Sequence, residues 1–219
     1  MHWFYYAGRF LAVLLLTLFT RFRVMGRENV PRQGPLLVVA NHPHLTDPPI
    51  LAVSVPLKTV FLAKEGLFRN WFTRYFVAGF GAFPVQPGRF NRKIFESATH
   101  WLGKEAALVL FPEGGRSDAV RMKKGLPGSA VIAARFGAPV LPVGIAGTEQ
   151  IKGRSWWLRR PRITVTIGKP FILSPRNGRL TKEERAELTK EIMEQIAGLV
   201  PQKYRGEYAG KADQAGKSG

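Results

Sequence analysis

Six short runs of consecutive apolar residues constrain this chain more than any other feature. They are Leu36–Ala40 (LLVVA), Thr59–Ala63 (TVFLA), Ala82–Gln86 (AFPVQ), Ala107–Phe111 (ALVLF), Pro139–Gly144 (PVLPVG) and Arg162–Ile167 (RITVTI). Runs too short for helices, apolar at successive positions, suit strands covered on both faces. Helical patterns lie between them. Phe90, Ile94, Ala98, Trp101 and Leu102 fall on one helical face, as do Leu188, Ile192, Ile196 and Leu199. Thr181 and Glu184 have the spacing of a capping box at the start of that last helix. Such alternation predicts an α/β fold, with a mainly parallel central sheet flanked by helices. A chain of 219 residues is long enough for one such domain without covalent staples.

The N-terminus is of another kind. Trp3, Phe4, Tyr5 and Tyr6 precede the run Phe10–Phe19 (FLAVLLLTLF), and only Arg9 breaks the stretch with charge. This is at the lower limit of the roughly 17–25 apolar residues that cross a bilayer. Arg21, Arg23 and Arg27 follow at once, the reverse of the order in a signal peptide. The pattern predicts an N-terminal membrane-associated helix held in one leaflet, with its aromatic end at the headgroups and its basic end cytoplasmic. A helix buried on the core is the alternative. The tail from Gly206 to Gly219 is rich in Gly, Lys and Ala and reads as disordered.

Charge narrows the partners. With 33 basic against 15 acidic residues the formal charge is +18, which favours an anionic membrane surface, nucleic acid or phosphorylated small molecules. No helix-turn-helix, zinc-finger or aromatic RNA-binding motif supports nucleic acid. The segment Arg154–Arg162 (RSWWLRRPR) mixes tryptophan with arginine, as a lipid interface does. There is no cysteine, so thiolate catalysis, disulfides and Cys-ligated zinc are excluded.

Two polar clusters stand at strand ends. Asn41–Asp47 (NHPHLTD) follows the first run and Phe111–Asp118 (FPEGGRSD) closes the fourth. Ligand sites of open α/β sheets lie outside the carboxyl ends of the strands, so parallel strands bring both clusters to one crevice. His42 and Asp47 are separated by Pro43, and a turn between them lets the carboxylate reach the imidazole. A carboxylate on one ring nitrogen fixes the tautomer and raises basicity at the other. That pair can take a proton from an alcohol attacking a carbonyl. There is no G-x-S-x-G elbow, and none is needed if the alcohol attacks directly. His42, His44 and Asp47 also resemble part of a metal site, but only His2 and His100 remain as further histidine ligands, so no metal is expected.

NHPHLTD resembles the N-H-x-x-x-x-D box of the glycerolipid (1-acyl-glycerol-3-phosphate) acyltransferase superfamily, and FPEGGRS its F-P-E-G-T-R-S box. GAFPV (Gly81–Val85) is similar to the second block and VLPVGIAGTE (Val140–Glu149) to the fourth, while FLAKEGLF (Phe61–Phe68) looks like the stretch between the first two. The resemblance implies His42 as general base and Asp47 as its orienting partner, with Glu113, Gly114 and Arg116 binding the acceptor. It implies a lysophospholipid acceptor, commonly lysophosphatidic acid, and acyl-CoA or acyl carrier protein as donor, with no cofactor. Residues 1–25 would be the membrane-anchoring segment, 26–205 the acyltransferase domain, and 206–219 the tail, on the cytoplasmic face of the cell membrane. Two positions depart from the family pattern. Gln86 and Pro87 stand where a polar residue and an Arg are usual, leaving Arg89 as the substitute cation, and Gly115 stands where Thr or Ser is usual.

Overall fold

The computed structural model describes residues 2–70, 82–85, 92–104, 106–116, 120–173 and 180–209. Among the described residues seven strands form one sheet: β1 Arg21–Met25, β2 Leu36–Ala40, β3 Thr59–Lys64, β4 Ala82–Val85, β5 Ala107–Leu110, β6 Val140–Ala146 and β7 Arg162–Ile167. Their spatial order is β1-β7-β6-β2-β5-β3-β4. Every pairing is parallel except β6 with β7. Among the described residues the helices are α1 His2–Phe19, α2 Asp47–Ser54, α3 Arg92–Leu102, α4 Gly128–Phe136, the single turn α5 Trp156–Arg159, and α6 Lys182–Gly198. The mainly parallel α/β sheet expected from the six apolar runs is therefore the observed architecture.

The central strands are apolar throughout because both their faces are covered. Leu37 and Val39 of β2 join a core with α3, α4 and α6. Leu36, Val38 and Ala40 join a second core under α2, against which Ala12 and Leu16 of α1 also pack. Each fully buried Leu or Val contributes about 1.5–3 kcal/mol. The capping box of Thr181 and Glu184 is formed and starts α6.

Two boundaries differ from the sequence reading. The N-terminal segment expected over 1–25 is helical only to Phe19, and Arg21–Met25 is an edge strand. Its exposed Arg21, Arg23 and Met25 alternate with half-buried Phe22 and Val24, and β7 supplies the hydrogen bonds. Of the tail expected over 206–219, residues 210–219 lie outside the described residues, while its first residues pack onto the domain. Gly206–Tyr208 form a short 3-10 turn, Tyr208 is 9% exposed, and its hydroxyl accepts a bond from Gly125 N at 3.3 Å. Gly206 can turn there because its positive φ of 56° suits glycine, and its α-carbon lies against the Met122 carbonyl where a side chain would not fit.

The antiparallel pairing of β6 with β7 has a positional consequence. Because β7 runs against β6, and β1 runs with β7, the amino ends of β1 and β7 lie at the same sheet edge as the carboxyl ends of β2, β5 and β6. The helix α1 reaches this edge at Phe19. Its other end is pinned at the opposite edge, where Tyr5 shares a 3.0 Å hydroxyl–hydroxyl bond with Thr59 at the start of β3.

Candidate active site

The carboxyl ends of β2 and β5 are adjacent, with Val39 level with Leu110. Asn41 ends β2 by continuing its ladder through a side chain. Its amide donates to the Ile145 carbonyl at 2.9 Å and accepts from Ile145 N at 2.7 Å. The chain therefore leaves the strand in a fixed direction, and His42 is the first residue beyond it.

Asp47 opens α2, where a carboxylate is favoured by the unpaired N–H groups and where Pro48 and Pro49 lose nothing by lacking a donor. The turn that precedes it folds back, with Asp47 N donating to the His44 carbonyl at 3.2 Å. Asp47 is fully buried. Its Oδ2 accepts from His42 Nδ1 at 2.7 Å and from His44 N at 2.7 Å. Its Oδ1 has no hydrogen-bond partner among the described residues. A carboxylate at Nδ1 holds the proton there, so Nε2 carries the free lone pair. Phe111 stacks on the imidazole at 4.0 Å with the rings 18° apart, and the His42 side chain remains 12% exposed. The ring is thus fixed on one nitrogen and one face and open at the other nitrogen.

Glu113 differs from the acceptor ligand expected of it. It is 8% exposed, its Oε1 accepts from His42 N at 3.0 Å, and its Oε2 accepts from Lys123 N at 2.8 Å. Both oxygens are spent on backbone amides, so the side chain straps the loop after β2 to the loop after β5. Burial pushes its carboxyl above the usual range, while the bonds from Lys123 and His42 pull it down. Gly114, also expected at the acceptor, adopts a positive φ of 71° and donates its N–H to the Phe111 carbonyl at 3.0 Å, which makes the turn that carries Glu113 inward.

Arg116 is exposed at the same mouth, and its carbonyl accepts from Lys123 Nζ at 2.7 Å. Its charge reaches His44, whose pKa is lowered mainly by burial, with Asp47 opposing and Arg116 and His42 assisting. Arg89, with Gln86 and Pro87, lies outside the described residues. An added Cβ at Gly115 would meet nothing within 4 Å, so the missing Thr or Ser reflects no steric demand of the fold.

Sequence reasoning missed Tyr204. Its hydroxyl accepts from Gly147 N at 2.9 Å and donates to Glu149 Oε1 at 2.7 Å, tying the chain after α6 to the end of β6. Burial and the Glu149 carboxylate push the phenol up, which keeps it a donor. The residue lies far down the chain from every motif, so no local signal could have revealed it.

The strap role makes a distinct prediction. Glu113→Gln leaves one acceptor and sets an NH2 group against a backbone N–H. The chain should lose about 1–3 kcal/mol of stability and turn over more slowly because His42 is less well held. Thermal denaturation and the rate at saturating substrate check both. An effect only on the acceptor Michaelis constant would return Glu113 to the acceptor site.

Comparison with known proteins shows the family. The Acyltransferase family model matches residues 21–146. The 1-acyl-sn-glycerol-3-phosphate acyltransferase of Bacillus subtilis is 25% identical over 189 residues, covering 85% of this chain and 92% of that protein. The enzyme of the same name from Streptococcus pneumoniae is 30% identical, over 78% of this chain and 64% of its own. Among solved structures, the 1-acyl-sn-glycerophosphate (LPA) acyltransferase PlsC of Thermotoga maritima superposes with a TM-score of 0.65 at 28% identity, covering 89% of this chain and 78% of that one. The matched span covers more than half of the chain, and the chain belongs to the Acyltransferase family.

Proposed function

We propose that this enzyme transfers a fatty acyl group from an acyl thioester to the free hydroxyl of lysophosphatidic acid, giving phosphatidic acid. The observation that carries the reading is the 2.7 Å bond from His42 Nδ1 to buried Asp47, which leaves Nε2 open at the edge of the sheet. His42 Nε2 takes the hydroxyl proton as the oxygen attacks the thioester carbonyl. The tetrahedral intermediate collapses and expels the thiolate, which receives the proton from the imidazolium. Asp47 holds the ring and stabilises its positive charge in between. The donor is acyl-CoA or acyl carrier protein, and these steps call on no metal or cofactor.

Arg116 is the proposed phosphate ligand of the acceptor, with Arg89 as a second cation. A guanidinium grips a phosphate through two parallel hydrogen bonds, which an ammonium cannot copy. Arg116→Lys should raise the Michaelis constant for lysophosphatidic acid tenfold or more, since charge-assisted bonds contribute about 1.5–3 kcal/mol each. Saturation kinetics with each substrate varied in turn is the test. A change confined to the donor constant would move Arg116 to the donor site. Equal rates on lysophosphatidic acid and on lysophospholipids with larger headgroups would shift the reading to another lysophospholipid or lyso-aminolipid acceptor.

The reading includes attachment to the cytoplasmic face of the cell membrane, peripherally or monotopically. Among the described residues, no helix is long and apolar enough to cross a membrane. What supports attachment is the outer side of α1. Tyr6, Phe10, Val13, Leu14 and Leu18 are all exposed along it, Phe10 by 72%. An apolar stripe of this length on a surface helix suits the headgroup–acyl boundary.

A further inference from the structure

We propose that the turn around α5, Gly153–Arg160, is a second lipid-binding element, which sets the catalytic edge of the sheet against an anionic leaflet. The inference rests on the acceptor being a lipid, and it concerns a part of the chain that the reaction itself does not use.

The antiparallel pairing of β6 with β7 positions the turn. With Ala146 level with Thr164, the connection between these strands emerges at the edge where His42 and Glu113 sit. Gly147, at the start of the connection, lies against the Arg162 carbonyl at its end so closely that no Cβ would fit. The turn is thus narrow at its base and projects from the rim of the site.

Its tip is apolar and its sides are basic. Trp157 is 45% and Leu158 66% exposed. Arg154, Arg159 and Arg160 are exposed around them. Among the described residues neither Arg154 nor Arg159 pairs with a carboxylate. Arg159 Nη2 instead donates to the Lys152 carbonyl at 2.9 Å, which holds its charge beside the tip. Arg160 takes a positive φ of 44°, a conformation unfavourable for any residue but glycine, and it ends the helical turn. An apolar tip in a ring of exposed guanidinium groups matches anionic headgroups above an acyl boundary.

The turn is also joined to α1. Phe19 meets Trp156 at 6.4 Å and Trp157 at 6.1 Å, both edge-on, and Arg160 Nη2 donates to the Thr17 carbonyl at 3.1 Å. The exposed stripe of α1 therefore continues into Trp157 and Leu158 as one apolar surface with a basic border. That continuity favours a bilayer over a polyanion, which has no use for Leu158 and the α1 stripe.

The test uses the full chain with α1 intact. Wild type, Leu158→Ser and Trp157→Ser/Leu158→Ser are partitioned onto vesicles of phosphatidylcholine with and without phosphatidylglycerol. The double variant should bind the anionic vesicles at least about tenfold more weakly, Leu158→Ser alone should fall between, and Trp157→Phe should bind like wild type. Arg154→Gln/Arg159→Gln should lose the preference for anionic over neutral vesicles and much of the salt dependence. Transfer to a monomeric short-chain lysophosphatidate should stay near wild type in the double variant, while transfer to vesicle-borne acceptor falls with binding. Equal partition of the double variant and wild type overturns the proposal. So does an equal fall on monomeric and vesicle-borne acceptor, which would make the turn part of the site. Undiminished vesicle binding with weakened use of an acidic acyl carrier protein would assign the turn to the donor's carrier instead. A wild type that partitions as expected but acylates neither acceptor would count against the function and not against the lipid contact.

Discussion

Replacing His42 by alanine lowers acyl transfer by about 10²–10⁴-fold and leaves the fold in place. The substitution removes the open nitrogen at the sheet edge but keeps the backbone N–H that Glu113 grips at 3.0 Å. Asn41, which anchors the strand end to Ile145, is untouched. The thermal midpoint should therefore move little, apart from the lost stacking on Phe111. Turnover per folded molecule, measured with both substrates saturating, is the comparison that matters. Wild-type turnover in this variant would remove the imidazole from the mechanism.

Asp47→Asn should be equally severe, at roughly 10³–10⁴-fold, and it separates catalysis from stability. Asp47 is fully buried, Oδ1 lacks a partner among the described residues, and Oδ2 takes both His42 Nδ1 and His44 N. An amide of the same shape relieves the burial of a charge, and with its oxygen in the place of Oδ2 it still accepts from His42 Nδ1 and His44 N, so in that orientation stability should hold or rise. It cannot stabilise the imidazolium. If its NH2 group faces Nδ1, it also forces the proton onto Nε2, the nitrogen that must accept one. A variant that melts no earlier than wild type but turns over thousands of times more slowly is the expected result. Rate and thermal midpoint measured on the same preparation decide it. Loss of rate only in proportion to unfolded protein would make Asp47 a structural residue.

Much of this site can be read in the sequence because its parts are local. NHPHLTD places base, turn and carboxylate within one short loop, and an apolar run directly before it marks the strand end. The parallel neighbour that brings FPEGG alongside follows from α/β alternation. What could not be read depends on distant backbone. The partners of Glu113 are the amides of His42 and Lys123, and an amide leaves no trace in residue type. The strand Arg21–Met25 was hidden because its alternation of arginine with apolar residues is too short to stand out beside the α1 run, and only the pairing with β7 makes it a strand. Tyr204 and Tyr208 hold residues 204–208 through hydroxyl bonds to Gly147 and Gly125, so the start of a stretch with the composition of a tail packs onto the domain.

The central claim is that an acceptor hydroxyl, deprotonated by His42, attacks the thioester directly. It is tested by following free thiol and lipid product together, using purified enzyme, an acyl thioester and lysophosphatidic acid. The account predicts that phosphatidic acid and thiol appear in equal amounts, and that thiol release stops when lysophosphatidic acid is left out. Thiol released in a burst without acceptor, with the acyl group left on the protein, would contradict it.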